Sequence, residues 1–205
     1  MRSEDEARDW IARRWGSEAT EKIAQFLELL ALENRRQNLV STSSLDHAWL
    51  RHIVDSAQLL THCPSNLQKP WLDIGTGAGF PGLVVALLQP DVFVHLVEPR
   101  GRRAEWLAHV ATELALTNVA ILQSKIDAVD PFDAGAISAR AVASLVKLVA
   151  WGKPFSTNQT VWLLPKGRSA LQELESVPNA IQKMFHVEQS ITDKDAAVLV
   201  GHGKA

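Results

Sequence analysis

The stretch Trp71-Leu-Asp-Ile-Gly-Thr-Gly-Ala-Gly-Phe-Pro-Gly82 constrains the fold more than any other part of the 205-residue chain. Four apolar-rich residues run into Gly75, Gly77 and Gly79, and an apolar helical pattern follows at 82–89. A buried strand that turns on glycines into a helix is the opening unit of an α/β sheet, where the first strand-to-helix turn lies at the mouth of a ligand crevice. Glycine suits such a turn because a Cβ blocks close approach of a ligand. From residue 71 onward the pattern repeats. Strands are expected at 71–74, 92–97, 119–123, 136–138 and 161–164, with helices at 82–89, 101–115, 142–150 and 169–176. Strands alternating with helices imply right-handed crossovers and a mostly parallel sheet. Two further runs, 184–191 and 196–200, flank the turn-prone Thr192-Asp193-Lys194-Asp195 and read as an antiparallel hairpin closing the sheet.

The residues before 67 read as helices. Ser3 and Glu6 form a capping box, and Ser17 is placed to cap a second helix carrying Ile23, Phe26, Leu27 and Leu30 at helical spacing. A third helical stretch is expected after Ser44, carrying Leu45, Trp49, Ile53, Leu59 and Leu60, and Cys63-Pro64-Ser65-Asn66 closes it. The chain is therefore expected to be one domain: an N-terminal helical cap over 1–66 on an α/β core over 67–205.

Composition narrows the function classes. Apolar residues make up 46% and charged residues 21%, the mixture of a soluble globular protein. No apolar run approaches the roughly 18 residues of a membrane span, and the first ten residues lack a secretory leader's apolar stretch. One cysteine, Cys63, and no Cys/His cluster at metal-ligand spacing point to a reducing, cytoplasmic location without a metal. With a net charge of −2, a nucleic-acid partner must be gripped by local basic patches. The candidates are Arg13-Arg14, Arg35-Arg36, Arg102-Arg103 and Lys166 with Arg168. Trp49, Trp71, Trp106 and Trp162 sit among apolar neighbours and are expected in the core.

The order of the glycines discriminates between ligands. A dinucleotide fingerprint needs glycine at position 80, where this chain has Phe80. The order Asp73-x-Gly75-x-Gly77-x-Gly79 instead resembles motif I of the class I methyltransferases, a Rossmann-like fold that binds S-adenosyl-L-methionine. In that resemblance Asp73 helps to hold the methionyl ammonium group, directly or through water. Glu98 ends the second strand, where a carboxylate accepts hydrogen bonds from ribose hydroxyls. Ile126-Asp127 follows the third strand, where methyltransferases hold adenine. Read alone, Ile126 is core and Asp127 a turn residue.

Several segments together resemble one family, the glucose-inhibited division protein B family of bacterial 16S rRNA methyltransferases. They are Asn34-x-x-x-Asn38-Leu39, Arg51-His52-x-x-Asp55-Ser56, Gly75-Thr-Gly-x-Gly-Phe80-Pro81-Gly82, Arg140-Ala141 and Pro165-Lys166-Gly167, which span nearly the whole chain. Three departures stand out: Glu33 where the family usually has Trp, Val40 where it has Thr, and one extra residue in Ala136-Ile-Ser-Ala-Arg-Ala141.

The resemblance implies an enzyme that methylates N7 of one guanine in the RNA of the small ribosomal subunit, acting as a monomer without a metal. It places the cofactor on Gly75, Gly77, Gly79, Phe80, Ile126, Asp127 and Arg140, with Glu98 on the ribose. Arg140 is implied to position the substrate, and Asn38, His52, Asp55 and Lys166 to face RNA. N7 carries a lone pair in the ring plane, so no general base is expected. The rival functions are a non-catalytic ribosome-assembly factor on the same fold and a nicotinamide-dependent oxidoreductase.

Overall fold

The computed structural model describes residues 1, 3–64 and 66–205; Ser65 of the expected 63–66 turn lies outside the described residues. Helix α1, Glu4–Gln37, starts where Ser3 Oγ accepts the Glu6 N–H at 3.1 Å, and it carries Glu4, Asp5 and Glu6 in the first turn and Arg35 and Arg36 in the last. These signs complement the helix dipole. Gly16, at φ 83° and ψ 178°, interrupts the ladder. The two expected N-terminal helices are thus joined end to end across a kink. Ile11 on one side of it and Ile23, Phe26 and Leu30 on the other bury the same stripe.

Helix α2, Thr42–Leu45, is capped by Ser41, so the third helical region begins before Ser44 rather than after it. A composite helix follows: a π-helical Trp49–Val54, α3 at Asp55–Ala57 and a 3₁₀ turn at Gln58–His62. Its N-terminus is capped from α1, because the two oxygens of Glu4 accept the N–H groups of Trp49 and Leu50, each at 2.9 Å.

Among the described residues the sheet has seven strands in the order β3-β2-β1-β4-β5-β7-β6. Strands β1 (Trp71–Ile74), β2 (Val94–Val97), β3 (Val119–Leu122), β4 (Ala136–Ser138) and β5 (Val161–Lys166) pair in parallel. The expected C-terminal hairpin is formed by β6 (Phe185–Gln189) and β7 (Ala197–His202), and β7 lies antiparallel between β5 and β6. Helices α4 (Gly82–Leu88), α5 (Gly101–Glu113) and α6 (Leu145–Gly152) make the crossovers, followed by α7 (Ala170–Glu175) and the short α8 (Asn179–Gln182).

Both sheet faces are covered, which is why β1 is buried at all four positions. Trp71 packs into a core with Phe26, Leu83 and Leu107, whereas Leu72, one residue on, packs on the opposite face with Leu148, Trp162 and Leu174. Trp71, Trp106 and Trp162 are core residues as expected, and Trp49 is only partly buried. The order of strands reverses between β1 and β4, so the crevice expected at a switch point opens beside the glycine turn. Among the described residues no helix is long and apolar enough to cross a membrane, and no three His, Cys, Asp or Glu side chains are gathered as for a metal ion.

Candidate functional site

The turn after β1 is held from three sides. The N–H groups of Gly75 and Thr76 donate to the Val97 carbonyl at 2.8 and 3.1 Å, and Gly75, Gly77 and Gly79 all adopt positive φ. Asp73 braces the turn from below: one oxygen accepts the Gly82 N–H at 2.9 Å and the other accepts the Ser138 hydroxyl at 2.7 Å. That hydroxyl in turn accepts Trp71 Nε1–H at 2.7 Å. A Cβ on Gly82 would stand 2.7 Å from an Asp73 oxygen and run into Leu96 Cδ2, so only glycine admits this contact. Asp73 is fully buried, and burial pushes its pKa up, against the opposing pull of its donors and of Arg140. Asp73, expected on a ligand's ammonium group, has both oxygens engaged by the turn and by Ser138, supports the turn from inside the sheet, and does not itself line the cavity beside it.

Glu98, by contrast, faces the crevice. One of its oxygens accepts the Gly77 N–H at 3.0 Å and the other the Arg100 N–H at 2.9 Å. It lines a cavity of about 340 Å³ together with Val40, Gly75, Gly77, Phe80 and Arg140. Each carboxylate oxygen keeps a further lone pair for hydroxyl donors. A Cβ on Gly77 would meet nothing closer than Arg103 Nη1 at 3.5 Å, so the backbone there is open to a ligand. Carboxylate, bare backbone and apolar walls of this size fit a nucleoside with a vicinal diol.

The far wall depends on Asn34, whose importance was legible only as part of the resemblance. Its Nδ2 donates to the Val40 carbonyl at 3.0 Å and its Oδ1 accepts the Val40 N–H at 2.9 Å, which fixes Leu39 and Val40 at the cavity. Asn38, expected to face RNA, is exposed and ends α1 in the left-handed conformation, φ 47° and ψ 58°, with its N–H on the Asn34 carbonyl. Asparagine tolerates that conformation better than most residues.

Arg140 stands at the centre of the site. Its Nη1 donates to Asp55 Oδ2 at 3.1 Å and to the Arg51 carbonyl at 3.3 Å, and its Nη2 to His52 Nδ1 at 3.2 Å. The guanidinium carbon lies 4.9 Å from the Phe80 ring centre, and the His52 ring stacks on the same Phe80 at 4.8 Å and 15°. Because an arginine only donates, His52 Nδ1 must accept, so Nε2 carries the proton and donates to Ser44 Oγ at 3.0 Å. Burial, then Arg140 and Arg51, lower the His52 pKa to about 3. His52 and Asp55, expected to touch RNA, are thus placed on Arg140. His52 lies in the π-helical segment and Asp55 is the first residue of α3, three positions on and on the same face.

A second, larger cavity of about 860 Å³ adjoins the first across Arg140, Ala141 and Val142. Ala141 takes a positive φ of 55°, and Val142, 39% exposed, lies between the two spaces. Lys166 lines the larger cavity but is engaged by Glu173 at 3.0 Å and by the Ala143 carbonyl at 3.3 Å. Its neighbour Arg168 pairs with Asp195 at 3.0 Å. Among the described residues the side chains of Arg51 and Lys194, also on this cavity, make neither ion pair nor hydrogen bond.

Ile126, buried, and Asp127, exposed, do not line the cavity beside the glycine turn. Ile126 is packed in the core under α6, and both residues line a separate groove against Trp151 and Pro154.

Residues 19–199 match the family model described as rRNA small subunit methyltransferase G. The chain is 50% identical over 203 residues to the ribosomal RNA small subunit methyltransferase G of Erythrobacter litoralis, covering 99% of this chain and 98% of that one. It is 40% identical over 205 residues to the protein of the same name from Zymomonas mobilis, covering 96% and 92%. Among solved structures, the fold is similar to that of an MtNAS variant in complex with S-adenosylmethionine (TM-score 0.56, 14% identity, 92% and 77% covered). It is also similar to a SAM-dependent O-methyltransferase from Thermotoga maritima (TM-score 0.57, 14% identity, 74% and 65% covered). Identities this low carry the fold alone.

Proposed function

The chain belongs to the rRNA small subunit methyltransferase G family, and from that premise we propose that it transfers a methyl group from S-adenosyl-L-methionine to N7 of a guanine in small-subunit ribosomal RNA. The observation that carries this reading is the wall shared by the two cavities. A nucleoside-sized space on the glycine turn meets a larger, cation-lined space at Arg140, Ala141 and Val142. Two ligands that occupy them meet at that wall. We assign the ribose to Glu98, the remainder of the cofactor to the Gly75–Phe80 turn, and the target nucleotide to the larger cavity. The N-terminal helices act as a cap that supplies Val40 and the groups holding Arg140. The working unit is taken as a monomer in the cytoplasm.

The bound cofactor supplies a methyl group activated on a sulfonium sulfur. This chain's part is to align and to exclude water. Arg140, tied by Asp55 and His52, presents a fixed cation at the meeting point, suited to guanine O6 or to a phosphate. His52 is a poor base, because its accepting nitrogen is occupied and its pKa is depressed to about 3. That suits attack by N7, whose lone pair is free without deprotonation. The test is transfer of tritiated methyl from S-adenosylmethionine to small subunits from a strain lacking the protein, followed by mass mapping. One guanine gaining a single methyl at N7 is expected. RNA binding without transfer would leave a non-catalytic RNA-binding protein, and a methyl at another atom would overturn the N7 assignment.

A further inference from the structure

The carboxylate that holds Arg140 is itself held, and by the far end of the chain. Asp55 gives Oδ2 to Arg140, whereas its Oδ1 accepts the Thr192 hydroxyl at 3.1 Å and Gln58 Nε2–H at 3.0 Å. Thr192 belongs to the loop between β6 and β7, more than 130 residues from Asp55. Gln58, 2% exposed, locks that loop in place: its Nε2 donates to Ser190 Oγ at 3.2 Å and its Oε1 accepts the Ile191 N–H at 3.0 Å. Ser190 Oγ and Thr192 Oγ1 lie 2.9 Å apart, and the Thr192 N–H donates to Ser190 Oγ at 3.2 Å.

We propose that Thr192 is a positioning residue for methyl transfer. Its hydroxyl fixes Asp55 Oδ1 so that Oδ2 points at Arg140, and the β6–β7 loop thereby sets the orientation of the guanidinium at the wall between the two cavities. This rests on the reading of Arg140 given above. A carboxylate on a short side chain turns readily about its last bond. With Oδ1 fixed from two directions, Oδ2 has one place to go. The same loop lines the larger cavity through Thr192 and Asp193, so a nucleotide entering there touches the element that aims Arg140. A loop that served only to close the hairpin has no need of a buried glutamine and a hydroxyl converging on one oxygen. Its turn is already closed by the Ala196 N–H on Asp193 and the Ser190 N–H on Ala196.

The test compares Thr192→Val, which keeps the shape and loses the hydroxyl, with Thr192→Ser, which keeps the hydroxyl. In Thr192→Val the turnover at saturating RNA is expected to fall roughly three- to tenfold, the scale of one lost hydrogen bond, with unchanged cofactor affinity by calorimetry. Thr192→Ser should recover most of that loss. A readout apart from the reaction is labelling of Arg140 by phenylglyoxal, followed by peptide mass mapping. It should quicken several-fold in Thr192→Val and not in Thr192→Ser. Wild-type turnover or wild-type labelling in Thr192→Val overturns the proposal, as does an equal loss in both variants. A wild-type protein that transfers no methyl group removes the premise about Arg140, and that failure is recognised because it occurs without any substitution.

Discussion

Glu98 Oε2 accepts the Gly77 N–H at 3.0 Å, so the carboxylate that ends β2 is bonded to the glycine turn that follows β1. The two strands are neighbours in register, with Ile74 opposite Val97. One residue therefore shapes the turn and presents its remaining lone pairs to the cavity beside it. This coupling makes the site preorganised, since the acceptor is oriented before any ligand arrives.

Removing that acceptor tests the cavity assignment. Glu98→Ala is expected to weaken S-adenosylmethionine binding by about 1.5–3 kcal/mol, the scale of hydrogen bonds to a charged group. Gly77→Asp should abolish binding and leave a folded, somewhat less stable protein, because its Cβ meets only ordinary contacts, at 3.5 Å or more, while its φ of +60° strains a side chain. Gly82→Ala should instead lower the thermal midpoint, since its Cβ runs into Leu96 and Asp73. Calorimetry and melting curves on the three variants separate these outcomes, and wild-type affinity in the first two would move the ligand elsewhere.

Arg140 cannot be replaced by another cation. A lysine offers a point charge and no planar fork, so it cannot serve Asp55 and His52 together while lying over Phe80. Arg140→Lys should slow methyl transfer roughly 10- to 100-fold, the loss of one or two charge-assisted bonds. Single-turnover rates with saturating RNA provide the measure, and a rate within a factor of two of wild type would remove Arg140 from the reacting centre.

RNA binding should depend on cations that are free to meet phosphate. Salt between about 50 and 200 mM should weaken RNA binding steeply, and Arg51→Ala and Lys194→Ala should each reduce the slope by about one. Lys166→Ala should also weaken transfer while sparing cofactor affinity. Its effect mixes a lost charge with a Glu173 left without its partner. Filter binding at several salt concentrations would show a slope indifferent to Arg51 and Lys194 if the larger cavity is not the RNA side.

The parts of this architecture that were legible in the sequence are those written in periodicity and glycine spacing. Trp71–Ile74 and Ala136–Ser138 form strands where the apolar runs lie, and the kink at Gly16 falls where Ser17 signalled a second helix. The site was legible in its residue types and less so in their roles. Asp73 looks like a ligand carboxylate by spacing, yet whether it points into the crevice depends on Ser138, from a strand 65 residues away. The π-helical turn at Trp49–Val54 is invisible to a 3.6-residue pattern, whereas the three-residue spacing of His52 and Asp55 already puts them on one face; that both meet Arg140 shows only in the folded chain. Ile126 reads equally as an adenine contact or as core, and in the fold it is buried in the cluster that holds Leu145 and Leu148 of α6.

His52 should leave a mark on stability in acid. The folded ring takes its proton only near pH 3, whereas an unfolded histidine takes one near 6.5. Between those values the unfolded state binds more protons, so stability rises with pH through the window, is fully present above 6.5 and is lost as pH falls. The slope from this one group is at most about 1.4 kcal/mol per pH unit. Asp73, with its folded pKa raised above 3.8, has the opposite sign: its contribution is present below 3.8 and is lost as pH rises through the folded value. Comparing urea midpoints of the wild type and His52→Gln at pH 5 and 7 cancels Asp73 and isolates His52. The wild type should lose more stability on acidification than the variant, and equal losses would contradict the buried, neutral ring.

The same ring decides the pH dependence of the reaction. If N7 is the nucleophile, its lone pair attacks without losing a proton, and no side chain has to act as base. His52 is in contact with Arg140, and its Nδ1 lone pair is already taken by Arg140 Nη2–H at 3.2 Å. With a pKa near 3, it stays neutral throughout the usual working range. Single-turnover methyl transfer should therefore be nearly flat from about pH 6.5 to 8.5, with no limb of unit slope. His52→Gln should keep that flat profile while lowering the rate, because the guanidinium loses one of the groups that hold it. A tenfold rise per pH unit in the wild type that disappears in His52→Gln would show His52 acting as a base. The acceptor would then be an atom that must first be deprotonated, and N7 would have to be abandoned.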